Sequence, residues 1–540
     1  METLSMKCSD AIVKLLEDAG IKYVFGHPGE HVLPLYDSIR TSSIEHVLLR
    51  HEQGAAHAAD GYARASGKIG VCISTGGPGA LNLVMGVATA YKDSIPLIVI
   101  TGDIPRDQIG LNVFQEIELE KVFKPITRYT FKPKNGEETI SVLKKALLYS
   151  RIEPMGPIHI NINKDIFQEE IREDILSQGV EYSPTRNYTN MEKAINLLES
   201  SKRPLIVAGA GVLWGRAADD LRELIETHNI PIATTYPARG VIGEDHPLCL
   251  GMIGTRGTPT ANYAGRNCDL IIALGCRISE RTMAGFGDSP IVHVNIDRET
   301  LKGDVNLQMD VKEFIRRIKF RLAPPTTWIR ELEEYSMVNP PAYDLPPLLE
   351  DYPLKPSQVI PRIFELAPDA IIVNDAGSHT TWVTLYRRVL ESRSLIYSGA
   401  FGPMGYGLPA SIGVCLARPE KKIILITGDG GFQMTMQELG TIMERKLPII
   451  ICVLNNSSLG IVRQWQEMEY GESYQVRLKN PDFVKLARAY NIKAVRIEEP
   501  EKLNSIFPDI LRMDEPVLVE IRVEEEDIPL PTGFDLKVEK

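Results

Sequence analysis

The carboxyl-terminal third of the chain carries two short polar motifs, each at the end of a hydrophobic run. Gly-Asp-Gly at 428–430 follows the run 421–427, and Asn-Asn at 455–456 ends the run 447–456, with 24 residues between the motifs. Glycines let backbone N–H groups approach phosphate oxygens, while carboxylate and carboxamide oxygens suit Mg²⁺. This spacing matches one strand–helix–strand crossover, which brings both motifs to one sheet edge. The pattern predicts a site for a metal-bound diphosphate; the alternative is two ordinary strand-end turns.

Alternating strands and helices must position these motifs. Apolar runs alternate with amphipathic stretches in three blocks, as in parallel sheets with crossover helices. Strands are predicted at 45–50, 69–74, 96–101 and 157–162 in the first block, at 205–211, 230–235, 270–275 and 291–297 in the second, and at 421–427 and 447–456 in the third. Helices are predicted over 80–91 and from near Gln433. The fold class is therefore α/β, with three doubly wound parallel-sheet domains.

Domain boundaries follow from two charged or proline-rich stretches, 169–186 and 340–356, which have the composition of linkers. They give domains at about 1–170, 190–325 and 355–530. A length of 540 residues exceeds one hydrophobic core and agrees with three domains.

Composition narrows the class of protein. The hydrophobic content of 44% and charged content of 24% are typical of a soluble globular protein. The formal net charge of −11, with scattered basic residues, argues against a nucleic-acid partner. The sequence has neither an apolar signal core nor a run of the ~18 apolar residues needed to cross a membrane, so we expect a cytoplasmic protein. Its seven cysteines form no CxxC pair and are expected to be core residues.

Glu52 is a second candidate for chemistry. It lies between the predicted strand 45–50 and an alanine-rich stretch at 52–66 that has helical character. A buried carboxyl group at a strand end could exchange protons with a ligand. The alternative is a helix-start acid that only interacts favourably with the helix dipole.

Several segments resemble thiamine diphosphate (ThDP)-dependent enzymes, and nearly the whole chain resembles the acetolactate synthase large subunits among them. The motifs at 428–430 and 455–456 are similar to the cofactor signature, and residues 50–103 to the first domain of the synthases. The resemblance implies a pyrimidine-binding domain, a central domain and a diphosphate-binding domain, in that order. It also implies that Glu52 contacts the pyrimidine ring, and that Asp429, the Asn456 side chain and the Ser458 carbonyl hold Mg²⁺.

The same resemblance assigns further residues to the cofactor site. Met404 would support the bent cofactor, and the Gly402 carbonyl would meet its pyrimidine amine; Met404 could otherwise be a gap-filling core residue. His379 would lie near the diphosphate. The remaining cofactor-binding positions are Pro28, Gly29, Gly77, Asn82, Gly428, Gly430, Gly431, Gly460 and Ile461.

Substrate residues also follow from the resemblance. The implied reaction is 2-keto acid carboligation, in which two pyruvates give 2-acetolactate and CO₂ in branched-chain amino acid biosynthesis. Trp465 would shape the pocket of the second 2-keto acid, although a tryptophan on an amphipathic helix could equally belong to the core. The other implied positions are Gln115 and Phe114 near the reacting centre, with Lys164 and Arg281 at the entrance.

Departures from the family pattern leave the substrate open. His27, Glu30 and His31 stand where the family has a tyrosine and glycines, and Asp107, Ser378 and Gly431 also differ. The histidines could donate protons to substrate or be exposed in a turn. The alternatives are a ThDP-dependent decarboxylase or lyase, a flavin-dependent pyruvate oxidase, and a non-catalytic regulatory paralogue.

Two implied partners remain open from the sequence. Segments 209–212, 250–254 and 275–281 resemble contacts to a non-redox FAD in the family, but an expected arginine is missing from 153–157, and such glycines also occur in plain strand–helix turns. The resemblance further implies a homodimer or tetramer with active sites at the subunit interface, and a small regulatory subunit.

Overall fold

A computed structural model describes residues 5–152, 154–180, 186–319, 327–344 and 352–530. Three six-stranded sheets, each entirely parallel, follow one another along the chain. The α/β prediction with three doubly wound domains is confirmed. Within the described ranges, no helix is both long and apolar enough to span a bilayer.

The first sheet contains all four strands predicted for its block and two more. In spatial order its strands are Glu45–Leu48, Tyr23–Gly26, Gly70–Ser74, Leu97–Asp103, Ile158–Asn163 and Tyr129–Phe131. Its main helices are Cys8–Asp18, Leu33–Arg40, Glu52–Ser66, Pro78–Asp93 and Gly136–Tyr149, with a short helix at Leu119–Phe123. The strands at Tyr23–Gly26 and Tyr129–Phe131 were not predicted because each is only three or four residues long.

The central sheet also contains its four predicted strands and two more. In spatial order they are Cys249–Met252, Ile232–Thr234, Pro204–Ala208, Leu270–Leu274, Ile291–Asn295 and Val305–Gln308. The helices are Met191–Ser200, Ala210–Trp214, Ala218–His228, Pro259–Asn267, Glu280–Met283, Val311–Ile318 and Trp328–Val338.

The third sheet carries the two polar motifs. Its strands, in spatial order, are Leu395–Ile396, Ile371–Asn374, Ile423–Gly428, Ile449–Asn455, Val517–Arg522 and Lys493–Ile497. Its helices are Pro356–Leu366, His379–Tyr386, Gly407–Ala417, Asp429–Thr435, Leu439–Arg445, Gly460–Tyr470, Phe483–Ala489 and Pro500–Leu511. The prediction of a helix start near Gln433 was wrong: the helix begins at Asp429, because the strand passes into it through Gly428 alone.

The register of the third sheet brings the two motifs together. Ile423–Gly428 and Ile449–Asn455 are hydrogen-bonded neighbours, and Gly428 pairs with Leu454. Both strands are buried along nearly their whole length, as expected for a sheet covered by helices on both faces. Gly428 and Asn455 therefore end side by side at the carboxyl edge of the sheet.

The amino-terminal part of the first predicted linker belongs to regular structure. Glu170–Arg172 pairs antiparallel with Ser5–Lys7 in a two-stranded ribbon. Residues 181–185 and 345–351 of the predicted linkers lie outside the described residues. The domain boundaries themselves stay predictions. Six of the seven cysteines are buried, as expected of core residues, and Cys249 is half-buried.

The first and third domains pack through two small-residue helices, Glu52–Ser66 and Gly407–Ala417. A Cβ on Gly413 would overlap the carbonyl oxygen of Ala58, and one on Gly61 would overlap the carbonyl of Ala410. The two helix backbones are therefore in direct contact. No larger residue fits at these glycines without separating the helices.

A buried polar cluster flanks this helix pair. The Arg64 guanidinium lies 2.5 Å from Asp60 and 2.9 Å from Asp93, and the Tyr406 hydroxyl donates to Asp60 at 2.7 Å. Asp93 also accepts hydrogen bonds from Ala400 N and the Ser398 hydroxyl. These bonds tie the third-domain segment that precedes Met404 to the first domain.

Gly413→Ala should separate the helix pair and destabilise the protein. We expect a cost of about 1–3 kcal/mol from overpacking, measured as a melting temperature lowered by several degrees. Gly179→Ala is the matched control, because nothing lies within 4 Å of a Cβ at that position. Equal melting temperatures for the two variants would contradict the packing argument.

Candidate functional site

The Asp429 carboxylate is held at the edge of the third sheet by three hydrogen bonds. Oδ2 accepts from Ser457 N at 2.8 Å and from the Asn480 side chain at 2.6 Å, and Oδ1 accepts from Gly430 N at 3.0 Å. Burial raises the pKa of Asp429, while these donors favour the carboxylate. The backbone just beyond the strand Ile449–Asn455 is thus hydrogen-bonded directly to Asp429.

Asn456, Ser458 and Gly460 form the other half of this edge. The Asn456 side-chain oxygen accepts from Ser458 N at 3.1 Å. A Cβ on Gly460 would lie 3.4 Å from both Asn456 Nδ2 and the Ser378 hydroxyl. The helix Gly460–Tyr470 therefore begins against Asn456 and Ser378.

His379 and Asp375 lie behind residues 428–431, called here the glycine turn, where the strand passes into the first turn of the helix Asp429–Thr435. His379 Nε2 is 3.0 Å from the Asp375 carbonyl, and a Cβ on Gly428 would lie 3.5 Å from Nδ1. Burial lowers the pKa of His379 to about 4. The neutral ring donates from Nε2, and an anion beside Nδ1 would favour its protonation.

The Asp375 side chain was missed by the sequence analysis. Its oxygens accept from Gly405 N at 3.0 and 3.2 Å and from the Thr427 hydroxyl at 3.0 Å, and burial raises its pKa to about 6. A Cβ on Gly431 would lie 2.9 Å from Asp375 Oδ2. A serine at this position, usual in the family, would crowd that carboxylate.

Met404 lies against the glycine turn. A Cβ on Gly430 would lie 3.2 Å from Met404 Cε and 2.8 Å from Leu459 Cδ2. Gly402 has a φ of +62°, a backbone conformation that favours glycine, and its N–H donates to the Ser398 hydroxyl at 3.3 Å. Met404 therefore lies beside the first turn of the helix Asp429–Thr435, at the carboxyl edge of the third sheet.

This edge fits a magnesium diphosphate. Within the described residues, no three His, Cys, Asp or Glu side chains group into a metal site. A metal at this edge would bind carboxylate, carboxamide and carbonyl oxygens together with oxygens of its ligand, a donor set that suits Mg²⁺. Glycine at 430 and 431 lets Leu459, Met404 and Asp375 pack directly against the backbone of this edge, where a side chain would meet them.

Glu52 and Asn82 meet at the edge of the first sheet. Asn82 Nδ2 donates to Glu52 Oε2 at 2.9 Å, and a Cβ on Gly79 would lie 3.0 Å from Glu52 Oε1. Glu52 is the first residue of its helix and is 9% exposed. Glu52 is therefore a helix-start acid, as the alternative interpretation had it. Its carboxyl group, however, is directed into the turn that begins the helix Pro78–Asp93.

The remaining cofactor-binding positions predicted in the first domain, together with Gln115, surround this same turn. Gly77 has a φ of +58°, and a Cβ there would lie 2.8 Å from Gln115 Cβ. The backbone of Gln115 is in the left-handed region, with a φ of +66°. Gly29, which follows Pro28, packs on Thr75, since a Cβ on Gly29 would lie 2.5 Å from Thr75 Cβ. The structure thus groups all these residues around one strand end.

Three of the departures from the family pattern, His27, Glu30 and His31, lie next to Pro28 and Gly29 in the sequence. His31 is buried and packs against Gly76 and the Thr75 hydroxyl, so the exposed alternative is wrong for it. Burial lowers the pKa of His31. The His27 Nδ1 atom lies 2.8 Å from the Leu49 carbonyl. Lys164 Nζ forms an ion pair with Glu30 at 2.8 Å.

Four other predicted residues differ in their exposure. Ile461 packs against the apolar core of the third domain. Trp465 is half-buried in the helix Gly460–Tyr470, and Phe114 is 80% exposed. Arg281 lies on the short helix Glu280–Met283 of the central domain, with an exposed side chain.

Packing accounts for the glycines of the central domain. A Cβ on Gly209 would overlap Cys276, and one on Gly211 would lie 2.7 Å from Gly275 Cα. Gly254 has a φ of +110° and lies against the Arg281 carbonyl. The plain strand–helix turn therefore explains these glycines without a bound nucleotide.

Two more residues support the candidate site, and the sequence pattern gave little indication of either. Asn480 lies 51 residues beyond Asp429 in a loop, and no spacing rule links them. Glu438 reaches the first domain from the third, accepting hydrogen bonds from Arg50 N and His51 N. Its only sequence signal was an acid inside an otherwise apolar helical stretch.

Comparison with known proteins agrees with this arrangement. Residues 6–122 match the family profile described as thiamine pyrophosphate enzyme, N-terminal TPP binding domain. Residues 191–318 match the central domain of the same enzymes, and 375–521 match their C-terminal TPP binding domain. Thiamine pyrophosphate is another name for ThDP. Each matched range contains most of the strands of one of the three parallel sheets.

Relatives extend over nearly the full length of the chain. A probable acetolactate synthase large subunit of Methanocaldococcus jannaschii is 39% identical over 98% of this chain and 94% of its own length. One from Methanococcus aeolicus is 38% identical over 96% and 92%, and the acetolactate synthase large subunit of Lactococcus lactis subsp. lactis is 36% identical over 97% and 93%. From its three matched domains and these relatives, the chain belongs to the thiamine diphosphate-dependent enzymes, in the acetolactate synthase large-subunit family.

Proposed function

We propose that this chain is a ThDP- and Mg²⁺-dependent 2-keto acid carboligase that converts two pyruvates to 2-acetolactate and CO₂. The observation that carries the proposal is the carboxyl edge of the third sheet, called here the diphosphate edge, where Asp429 and Asn456 directly follow two adjacent strands. The names of the relatives support the choice of reaction.

In this proposal Mg²⁺ is held by Asp429, the Asn456 side chain and the Ser458 carbonyl. The diphosphate is bound by backbone N–H groups of residues 428–431, where the strand passes into the first turn of the helix. When bound, ThDP supplies the nucleophilic carbon and the electron sink for decarboxylation. Glu52, oriented by Asn82, exchanges a proton with the pyrimidine ring. Met404 supports the bent form of the cofactor.

The proposed acceptor pocket uses residues from all three domains. Gln115 and Phe114 approach the reacting carbon, Trp465 shapes the acceptor side, and Lys164 and Arg281 attract the substrate carboxylate. The ion pair of Lys164 with Glu30 offsets one of these charges. The proposal does not include FAD, because packing accounts for the central-domain glycines. A flavin absorbance spectrum of the purified protein would show that FAD is bound.

We further propose a homodimer in which the first domain of one subunit faces the third domain of its partner. Exposed apolar side chains beside both halves of the site support this arrangement. They are Leu81, Met85, Leu111 and Phe114 in the first domain and Met434, Val462 and Tyr474 in the third. Tetramer formation, and a small regulatory subunit as the relatives' name suggests, stay predictions.

Incubation of the protein with ThDP, Mg²⁺ and pyruvate should yield 2-acetolactate as the main product, identified by NMR. The same mixture without Mg²⁺ is the control and should be inactive. Acetaldehyde as the main product would favour the decarboxylase alternative. Oxygen consumption that depends on bound flavin would favour the oxidase.

Asp429→Ala should lower Mg²⁺-dependent affinity for ThDP, measured by calorimetry, by about 100-fold or more, since even outer partners of metal ligands are worth about 10–100-fold. Asp514→Ala is the matched control, because the Asp514 side chain is 95% exposed in the same domain. Affinity that is unchanged in Asp429→Ala would refute the metal assignment.

Co-expression of Glu52→Ala and Asp429→Ala chains should restore activity, although each variant alone is inactive. A mixed dimer would hold one site with both lesions and one intact site, so random pairing gives about one quarter of wild-type activity. Mixed dimers that form and recover no activity would rule out a site shared between subunits.

A further inference from the structure

Glu438 is a buried carboxylate that extends from the third domain to the first. It is 0% exposed, and its oxygens accept from Arg50 N at 3.0 Å and His51 N at 3.1 Å. The Thr441 hydroxyl lies 3.2 Å from the same carboxylate and 2.8 Å from the Leu48 carbonyl. The third domain thus contacts the backbone of one first-domain strand end.

The two N–H groups that Glu438 binds directly precede Glu52. They belong to the turn between the strand Glu45–Leu48 and the helix Glu52–Ser66, where backbone donors have no partner within the helix. The His51 side chain accepts from Gln53 N at 3.1 Å. Glu438 and His51 together therefore fix the backbone on both sides of Glu52.

The space for Glu438 depends on a glycine. A Cβ on Gly54 would lie 2.5 Å from Glu438 Oε1 and 2.9 Å from its Cδ. Glycine inside a helix is less favourable than alanine, so this position is unfavourable for the helix alone. Burial raises the pKa of Glu438 to about 7, whereas the backbone N–H groups favour its charged form.

We propose that Glu438 is a positioning residue for Glu52: from the third domain, it fixes the turn that directs the Glu52 carboxyl group toward the cofactor. This inference rests on the proposed role of Glu52. Asp429 and Glu438 belong to one helical run, through Asp429–Thr435 and Met436–Glu438. The segment that would bind the metal of one site thereby also positions Glu52, which in the proposed dimer serves the other site.

Glu438→Gln is the main test variant. An amide offers one acceptor oxygen and two donors, so it can satisfy only one of the two backbone N–H groups. In protein without cofactor, amide hydrogen exchange followed by mass spectrometry should show lower protection over residues 49–55. In protein with ThDP and Mg²⁺, exchange of the cofactor C2 proton should slow by about 10- to 100-fold, the cost of a small misplacement of a reacting group.

Two further variants separate positioning from general stability. Glu444→Gln is the matched control. Glu444 lies on the helix Leu439–Arg445, contacts the Arg50 side chain at 2.6 Å and is 54% exposed, so both readouts should stay at wild-type values. Gly54→Ala should reproduce the Glu438→Gln result without changing the carboxylate, although helix propensity alone would make it stabilising. ThDP affinity should change less than about threefold in all three variants, because none alters the diphosphate edge.

A double variant tests whether Glu438 acts through Glu52. Glu52→Gln should slow C2 exchange, and Glu438→Gln should slow it no further in that background. Equal slowing by Glu438→Gln with and without Glu52, or wild-type exchange in Glu438→Gln, would overturn the inference. Normal C2 exchange in Glu52→Gln would instead refute the proposed role of Glu52 and is distinguishable from both results.

Discussion

The direct backbone contact between the helices Glu52–Ser66 and Gly407–Ala417 determines how the first and third domains sit against each other. Glycines on both helices remove the side chains that would hold them apart. The close approach also buries the cluster of Asp60, Arg64 and Tyr406, whose charges are compensated there. Because backbone packs on backbone here, this contact sets the spacing between the two domains.

The two halves of the candidate site depend on that contact through different groups. Asp93 binds the segment before Met404 from the first domain. Glu438 binds the turn before Glu52 from the third domain. Each domain thus stabilises the loop of the other that would touch the cofactor. A carboxylate at each end of the helix pair performs this function.

Much of the fold could be predicted because buried parallel strands are continuous apolar runs. The predicted runs at 421–427 and 447–456 match the strands Ile423–Gly428 and Ile449–Asn455, and their spacing indicated that Asp429 and Asn456 share an edge. Short strands such as Tyr129–Phe131 were missed because three residues carry no period. The helix start at Asp429 was misplaced because glycines at 430 and 431 suggest a turn, yet they fit inside the helix.

The supporting carboxylates could not be predicted for another reason. Asp375 and Glu438 act through contacts to backbone N–H groups of distant segments, and backbone contacts impose no residue type on the partner. The ion pair of Lys164 with Glu30 likewise joins residues 134 positions apart. Residue type and local spacing identify groups that would touch a ligand, whereas their supports depend on the tertiary fold.

The helix Glu52–Ser66 has a consequence for biosynthesis. Nearly all of its residues are buried, and much of its cover comes from a helix that begins at Gly407. At about 5–20 residues per second, the ~350 residues between these helices take on the order of 20–70 s to synthesise. During that interval the nascent first domain has an uncovered alanine-rich surface. The growing chain therefore has a period in which chaperones or a neighbouring chain can bind the face that the third domain later covers.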